Sequence, residues 1–134
     1  MIALIAVAAL AAQQAPVPAS AVREAMAASA AGWNAGDLDR FMSVYADDAV
    51  YVTAKGVVRG RAAIAARYAP TFTRGGNTRG RLAFQPLVER EVDARHRLLV
   101  ARWTLTGTKV ETGMTTLLFE RRGAEWKIVA DHSS

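Results

Sequence analysis

The sequence predicts an α+β domain, with helices first and an antiparallel sheet after them. Three observations carry this. Ala-rich, helix-forming sequence is confined to the first half, between Ser20 and Ala69. From Leu82 to Ser133 the chain turns to β-branched and aromatic residues at strand spacing. The turns between these later segments are short, so neighbouring strands pair antiparallel as a meander. Helices segregated from strands indicate α+β rather than alternating α/β.

The elements follow in order. Ser20 to Ala35 is Ala-rich with Val22, Met26 and Trp33 as larger apolar residues, and Ala is the best helix former. Gly36 ends that helix in a left-handed cap. Asp37 is an N-cap for a second short helix through Tyr45, turning Leu38, Phe41, Met42 and Tyr45 inward. Ala49 to Thr53 reads as a strand by its composition. Lys55-Gly56 makes a turn, and Val57-Val58 starts a short second strand. Arg61 to Ala69 is a third helix, stopped by Pro70. Gly75-Gly76-Asn77 is a loop. Four strands follow: Leu82 to Val92, Arg97 to Thr106, Val110 to Arg121 and Trp126 to Ser133.

With 134 residues and no internal repeat, the chain makes one domain with a real core. There is no Cys, which excludes disulfides, zinc-thiolate sites and thiol nucleophiles. Met1 to Ala12 is almost wholly apolar and uncharged. It is too short to span a bilayer as a mature helix, and it fits the apolar region of a secretory signal, although no Lys or Arg precedes it. Ala9-Leu10-Ala11 offers a small-x-small cleavage site, and Pro16 and Pro18 follow. Residues 1–19 are therefore expected to be a signal peptide and linker, with the domain at 20–134. The mature chain is expected in the periplasm or outside the cell, with no membrane anchor.

Net charge is +5, and between Arg59 and Arg102 ten Arg face three acids, Glu89, Glu91 and Asp93. A basic face steers anionic partners. Here the Arg residues are scattered over strands and turns with no basic-aromatic motif, so a solvated Arg-rich surface is expected rather than a nucleic-acid site.

Three pieces of sequence carry a family resemblance: Asn34-Ala35-Gly36-Asp37-Leu38-Asp39, Ala46-Asp47-Asp48-Ala49, and Ala62-Ala63-Ile64 with Tyr68-Ala69 behind it. Together they resemble ketosteroid isomerases and the wider nuclear transport factor 2-like and SnoaL-like superfamily. The closing Trp126 to Ser134 looks like the last strand of SnoaL-like proteins. The resemblance implies helices packed on a strongly curved antiparallel sheet, a cone with one internal pocket of the cystatin-like type. It also implies a homodimer through the outer face of the sheet.

Ketosteroid isomerase uses a carboxylate base and an oxyanion hole of a Tyr and a protonated Asp, as the general account of that enzyme has it. In the register of the resemblance the base falls at Thr53, the oxyanion Tyr at Ser29, and the protonated Asp near Leu117, where no sequence neighbour is acidic. Thr has no useful basicity near neutral pH. Ketosteroid isomerase activity is therefore not expected.

The same register suggests the pocket wall. Side chains alternate along a strand. Thr53 brings Tyr51 with it, and Leu117 brings Thr115 and Phe119. Trp103 falls on a family pocket aromatic, with Ala101 and Leu99 on its face. Trp33 and Ser29 come from the first helix, and Tyr45 and Tyr68 border the site. On the last strand plain alternation puts Ile128, Ala130 and His132 inward. The result is an aromatic-lined, mostly apolar cavity for a small apolar or aromatic molecule.

His132 is the candidate acid or base, since its reference pKa is near neutral. The competing reading is a structural His at the sheet edge. His96 sits in a turn and is expected to be exposed. Asp47 and Asp48 suit the helix-to-strand turn by their own backbone hydrogen bonding. Asp131 and His132 alone are too few for a metal, and nothing points to a cofactor. A Ser29, His132, Asp131 triad has no nucleophile-turn signature.

Three functions remain open on the sequence. One is a small-molecule pocket protein. The second is a SnoaL-like isomerase, cyclase, hydrolase or dehydratase acting on a polyketide-like or steroid-like compound. The third is a protein-interaction module.

Overall fold

A computed structural model describes residues 20–134. The signal-like segment 1–19 lies outside the described residues. Helix α1 (Ala21–Ala35) starts at Ser20, whose hydroxyl accepts from the Arg23 amide, and ends at Gly36 with φ 72°. The left-handed cap read from the sequence is therefore real, and a side chain there would strike the Thr73 carbonyl at 2.2 Å. Helix α2 (Leu38–Met42) is capped by Asp37, whose side chain accepts from the Arg40 amide. It is shorter than expected, because Tyr45 already belongs to the first strand.

The first strand, β1 (Tyr45–Thr53), and β2 (Gly56–Arg59) form a hairpin. Helix α3 (Arg61–Tyr68) follows, then a single 3₁₀ turn over Ala69–Thr71 that contains Pro70. The expected loop at Gly75-Gly76-Asn77 is instead the tip of a small ribbon of β3 (Phe72–Thr73) and β4 (Gly76–Asn77). Four long strands complete the chain: β5 (Arg81–Asp93), β6 (His96–Thr106), β7 (Val110–Arg122) and β8 (Glu125–Ser133). The main sheet runs β2-β1-β8-β7-β6-β5. Every pairing is antiparallel except β1 with β8, which is parallel and returns the end of the chain to the first strand.

Register shifts interrupt the sheet at Pro86/Val88, Glu91/Asp93, Leu118/Phe119 and Tyr45/Val50. Each extra residue bends its strand and raises the local twist, so the sheet curls instead of lying flat. Pro86 sits on β5, an edge strand, where its missing N–H breaks no central ladder. The helices fill the concave side. Asn34 fastens α1 to β5: its side-chain amide donates to the Leu82 carbonyl at 3.0 Å and its oxygen accepts from the Leu82 amide at 2.7 Å.

The core lies between helices and sheet. Trp33 packs edge-on against Phe41, Tyr68 and Phe72 with ring centroids 5.1, 6.0 and 5.3 Å away. Such pairs add roughly 0.5–1.5 kcal/mol each beyond the buried area. Val22, Ile64, Leu99, Phe119 and Ile128 are fully buried around them.

Candidate functional site

The chemistry of the site is set by one bulge in β8. Opposite β7, Phe119 pairs with Ile128 but Leu118 pairs with Ala130, so Val129 is an extra residue. The face of the strand therefore changes after Ile128. Ile128 and Asp131 both point inward and are buried, while His132 is exposed. The expectation that Ala130 and His132 share the inner face is thus corrected. Ala130 is half-buried opposite Leu118, and His132 stands opposite the exposed Thr116. His132 is not positioned for acid-base work inside the cavity, and it cannot complete a triad with Ser29.

Asp131 takes the place meant for it. Its side chain is 3% exposed and stands across from Leu117 in the sheet. An acidic side chain therefore does stand beside Leu117, on the adjacent strand. The Tyr45 hydroxyl donates to Oδ2 at 2.6 Å. The hydroxyls of Ser133 and Thr115 donate to Oδ1 at 2.6 and 3.3 Å. A carboxylate has about four acceptor sites; three are used, and the open one is on Oδ2. Burial pushes the Asp131 carboxyl above its ordinary range, against the opposing pull of the Ser133, Tyr45 and Thr115 hydroxyls and of the His132 charge. Burial, and then the Asp131 charge, also raise Tyr45 well above the usual phenol value. Tyr68 is raised by burial and then by Tyr51 and Asp131. Tyr45 and Tyr68 are thus neutral hydroxyl donors near neutral pH.

These groups border a cavity of about 260 Å³ between the helices and the sheet. Aromatic rings form much of its wall: Trp33 and Phe41 from the helices, Tyr45 and Tyr51 from β1, Tyr68 from α3 and Trp103 from β6. Ser29 and Leu117, placed by the register of the resemblance, and Thr115 and Ile128, placed by alternation, also border it. The Ser29 hydroxyl is committed to the Phe41 carbonyl at 2.9 Å, which ties α1 to α2. Trp33 is held by its indole N–H to the Gly80 carbonyl at 2.9 Å.

Besides Ala130, four expected wall residues do not border the cavity. Leu99, Ala101 and Phe119 face the right way but are fully buried in the surrounding core. Thr53 lies at the end of β1, where its hydroxyl donates to the Gly56 carbonyl at 3.0 Å and closes the turn to β2. The position that would hold the isomerase base is therefore a turn residue. Asp47 and Asp48 are exposed and serve as ion-pair partners of Arg61 (2.8 Å) and Arg122 (2.7 Å).

Ser133 was missed by the sequence argument, and Asp131 was weighed only as a metal ligand or triad member beside His132, not as a wall residue. The signal available was the run Ile128-Val129-Ala130, three apolar residues that already break strict alternation before the polar Asp131. Arg67 and Arg79 were also missed as wall residues. Both had been absorbed into a general surface charge.

A family model for the SnoaL-like domain matches residues 26–131. The chain belongs to the SnoaL-like family. No curated protein matches it at a significant level. Solved structures similar to this SnoaL-like domain include a nuclear transport factor 2-like protein of unknown function from Shewanella oneidensis. That structure has a TM-score of 0.73 and 24% identity, over 84% of this chain and 95% of the other. A candidate scytalone dehydratase from Novosphingobium aromaticivorans matches with TM-score 0.69 and 12% identity, over 84% and 80% of the two chains. A ketosteroid isomerase-like protein from Erwinia carotovora matches with TM-score 0.65 and 17% identity, over 85% and 92%. At these identities the likeness establishes the fold, and the residues of this SnoaL-like domain must carry any chemistry.

Proposed function

We propose that the domain binds a compact ring compound, with its inner polar atom on Asp131 and Tyr45. The observation that carries this is the buried Asp131 carboxyl on a wall rich in aromatic rings, paired with hydroxyls and, among the described residues, with no cation. Burying such a group is unfavourable unless it is fully hydrogen-bonded, and one acceptor site on Oδ2 is left for a ligand. Size sets the class. An apolar cavity of roughly 150 Å³ takes benzene, so about 260 Å³ suits one or two rings rather than the four of a steroid. The test is a thermal-shift and tryptophan-fluorescence series of one-, two- and four-ring compounds. Trp33 and Trp103 border the cavity and report on it directly. A saturable response peaking at two rings, blunted in Trp103→Ala, supports the reading. A peak at four rings, or silence throughout, removes it.

A second reading is favoured by the upward shift of the Asp131 carboxyl. A raised carboxyl can hold and return a proton, as acid-base enzymes require. The family resemblance then suggests an isomerase, cyclase or dehydratase with Asp131 in the role first given to His132. The proton would leave the carbon next to a ring ketone for Oδ2 and return to the same or a neighbouring carbon. Deuterium exchange into tetralone, followed by NMR, measures this without knowing the natural substrate. Loss of exchange by roughly 10²-fold or more in Asp131→Asn is expected for a general base; an unchanged rate leaves binding alone.

Export and pairing of two copies belong to the same reading, on sequence grounds. Amino-terminal sequencing of the secreted chain and its mass in solution test each.

A further inference from the structure

The cavity has two chemically different ends. Its inner end holds Asp131, the one acidic side chain in the wall. Its outer end holds two arginines, Arg67 and Arg79, with Ser134; all three border the cavity and are exposed, so they stand at its mouth. Arg67 projects from the last turn of α3, and its guanidinium lies over the Tyr51 ring, 5.5 Å from the centroid. Among the described residues the Arg67 side chain has no carboxylate partner and no hydrogen bond, and residues 1–19 contain no acid that could supply one. The contact with Tyr51 keeps the guanidinium beside the ring and leaves its N–H fork for another group. Arg79 has one partner, Glu111 at 3.5 Å, in a pair exposed on both sides. A pair of that kind is weak and easily exchanged.

Resting on the cavity reading proposed above, we infer that the ligand is a one- or two-ring compound carrying a single carboxylate, held at the mouth by Arg67 with Arg79 as second cation. Charge fixes the direction of entry. A negative group at the inner end would face the Asp131 carboxyl and raise its pKa further, at the expense of binding. At the mouth it meets guanidinium groups, whose planar forks match a carboxylate. The aromatic rings between the two ends take the ring body. The far end of the ligand, next to Asp131, is neutral: a hydroxyl or a carbonyl.

The test compares naphthoic acid with naphthamide, which has the same shape and no charge. Calorimetric titrations are run on the wild type, Arg67→Gln, Arg67→Lys and Arg79→Gln. The wild type is expected to bind the acid about tenfold more tightly than the amide, the increment of one charge-assisted hydrogen bond. That preference should fall with added salt, vanish in Arg67→Gln, shrink in Arg79→Gln and persist in part in Arg67→Lys. Thermal melts show whether each variant is folded, and the salt series on the wild type stands if one is not. Equal binding of acid and amide, or a preference unchanged by salt and by both Gln variants, overturns the carboxylate assignment and leaves the cavity reading in place. Binding of neither compound overturns the cavity reading itself and the inference with it.

Discussion

At the residue scale, Asp131 is the side chain on which the account turns. Its folded-state pKa is raised by burial. Below the ordinary carboxyl value near 3.8, both folded and unfolded forms are protonated and no penalty arises. As pH rises through the folded value, the buried charge forms and the stability contribution is lost. Asp131→Asn has no such charge. The melting temperature of the variant minus that of the wild type should therefore climb from acid towards neutral pH and then level off. Melts followed by circular dichroism across that range measure it; a difference that stays flat, or falls, contradicts the burial argument. Trp33 is the opposite case, a residue whose role is packing as well as wall. Trp33→Ala removes three aromatic contacts and the bond to Gly80, and is expected to cost about 3–5 kcal/mol in denaturant titrations.

At the element scale, local chemistry made most of the fold legible. Gly36, Asp37, Gly56 and Pro70 are punctuation with a mechanism, and the structure uses all four as turn, cap or stop. Gly36→Ala must place a Cβ at positive φ and against the Thr73 carbonyl. The left-handed conformation alone costs about 1–2 kcal/mol, so unfolding by urea should show a loss of at least that size. A loss well below it would mean that α1 ends otherwise. What stayed hidden was β8. Alternation is a local rule, and an extra residue is defined by the partner strand. Val129 is extra only because Phe119 and Leu118 pair with Ile128 and Ala130. The apolar run Ile128-Val129-Ala130 hints at a break in alternation but does not say which residue is extra, and that one residue moved the inward face from His132 to Asp131. Tyr45 was misplaced for a related reason. Its helical spacing after Leu38, Phe41 and Met42 fits either element, and pairing with Ile128 decided for the strand.

At the scale of the whole molecule, the sheet is tied to its edges by ions. His96 bridges Asp93 at 2.8 Å and Glu120 at 3.1 Å. Glu120 also meets Arg122, which reaches Asp48 on β1. Asp93, Glu120 and Asp48 are lowered by these partners and by nearby amides, so their contribution is present above the ordinary carboxyl values and lost as pH falls. His96 is raised by Asp93 and Glu120, so its contribution is present below 6.5 and lost as pH rises through the shifted value. The two windows overlap at mildly acidic pH. His96→Gln should lower the melting temperature most there and least above neutrality, with the gap closing in high salt. A deficit that grows with pH would contradict the assignment. His96, expected in an exposed turn, is half-buried at the start of β6, and none of this network borders the cavity, so ligand binding should be unaffected by the same substitution. The cavity itself was readable as a set of aromatic and hydroxyl residues. Its two charged ends were not, because each depends on which strands and helices meet.

The most direct measurement of the central claim is calorimetric titration of the wild type and of Asp131→Asn with naphthol and with its methyl ether. The account predicts that the wild type binds naphthol and holds the ether about tenfold more weakly, because the ether cannot donate to the open site on Oδ2. The difference should narrow in Asp131→Asn. Equal binding of both compounds to both proteins, or no binding of either, would contradict the claim that a buried carboxyl organises this cavity for a ring ligand.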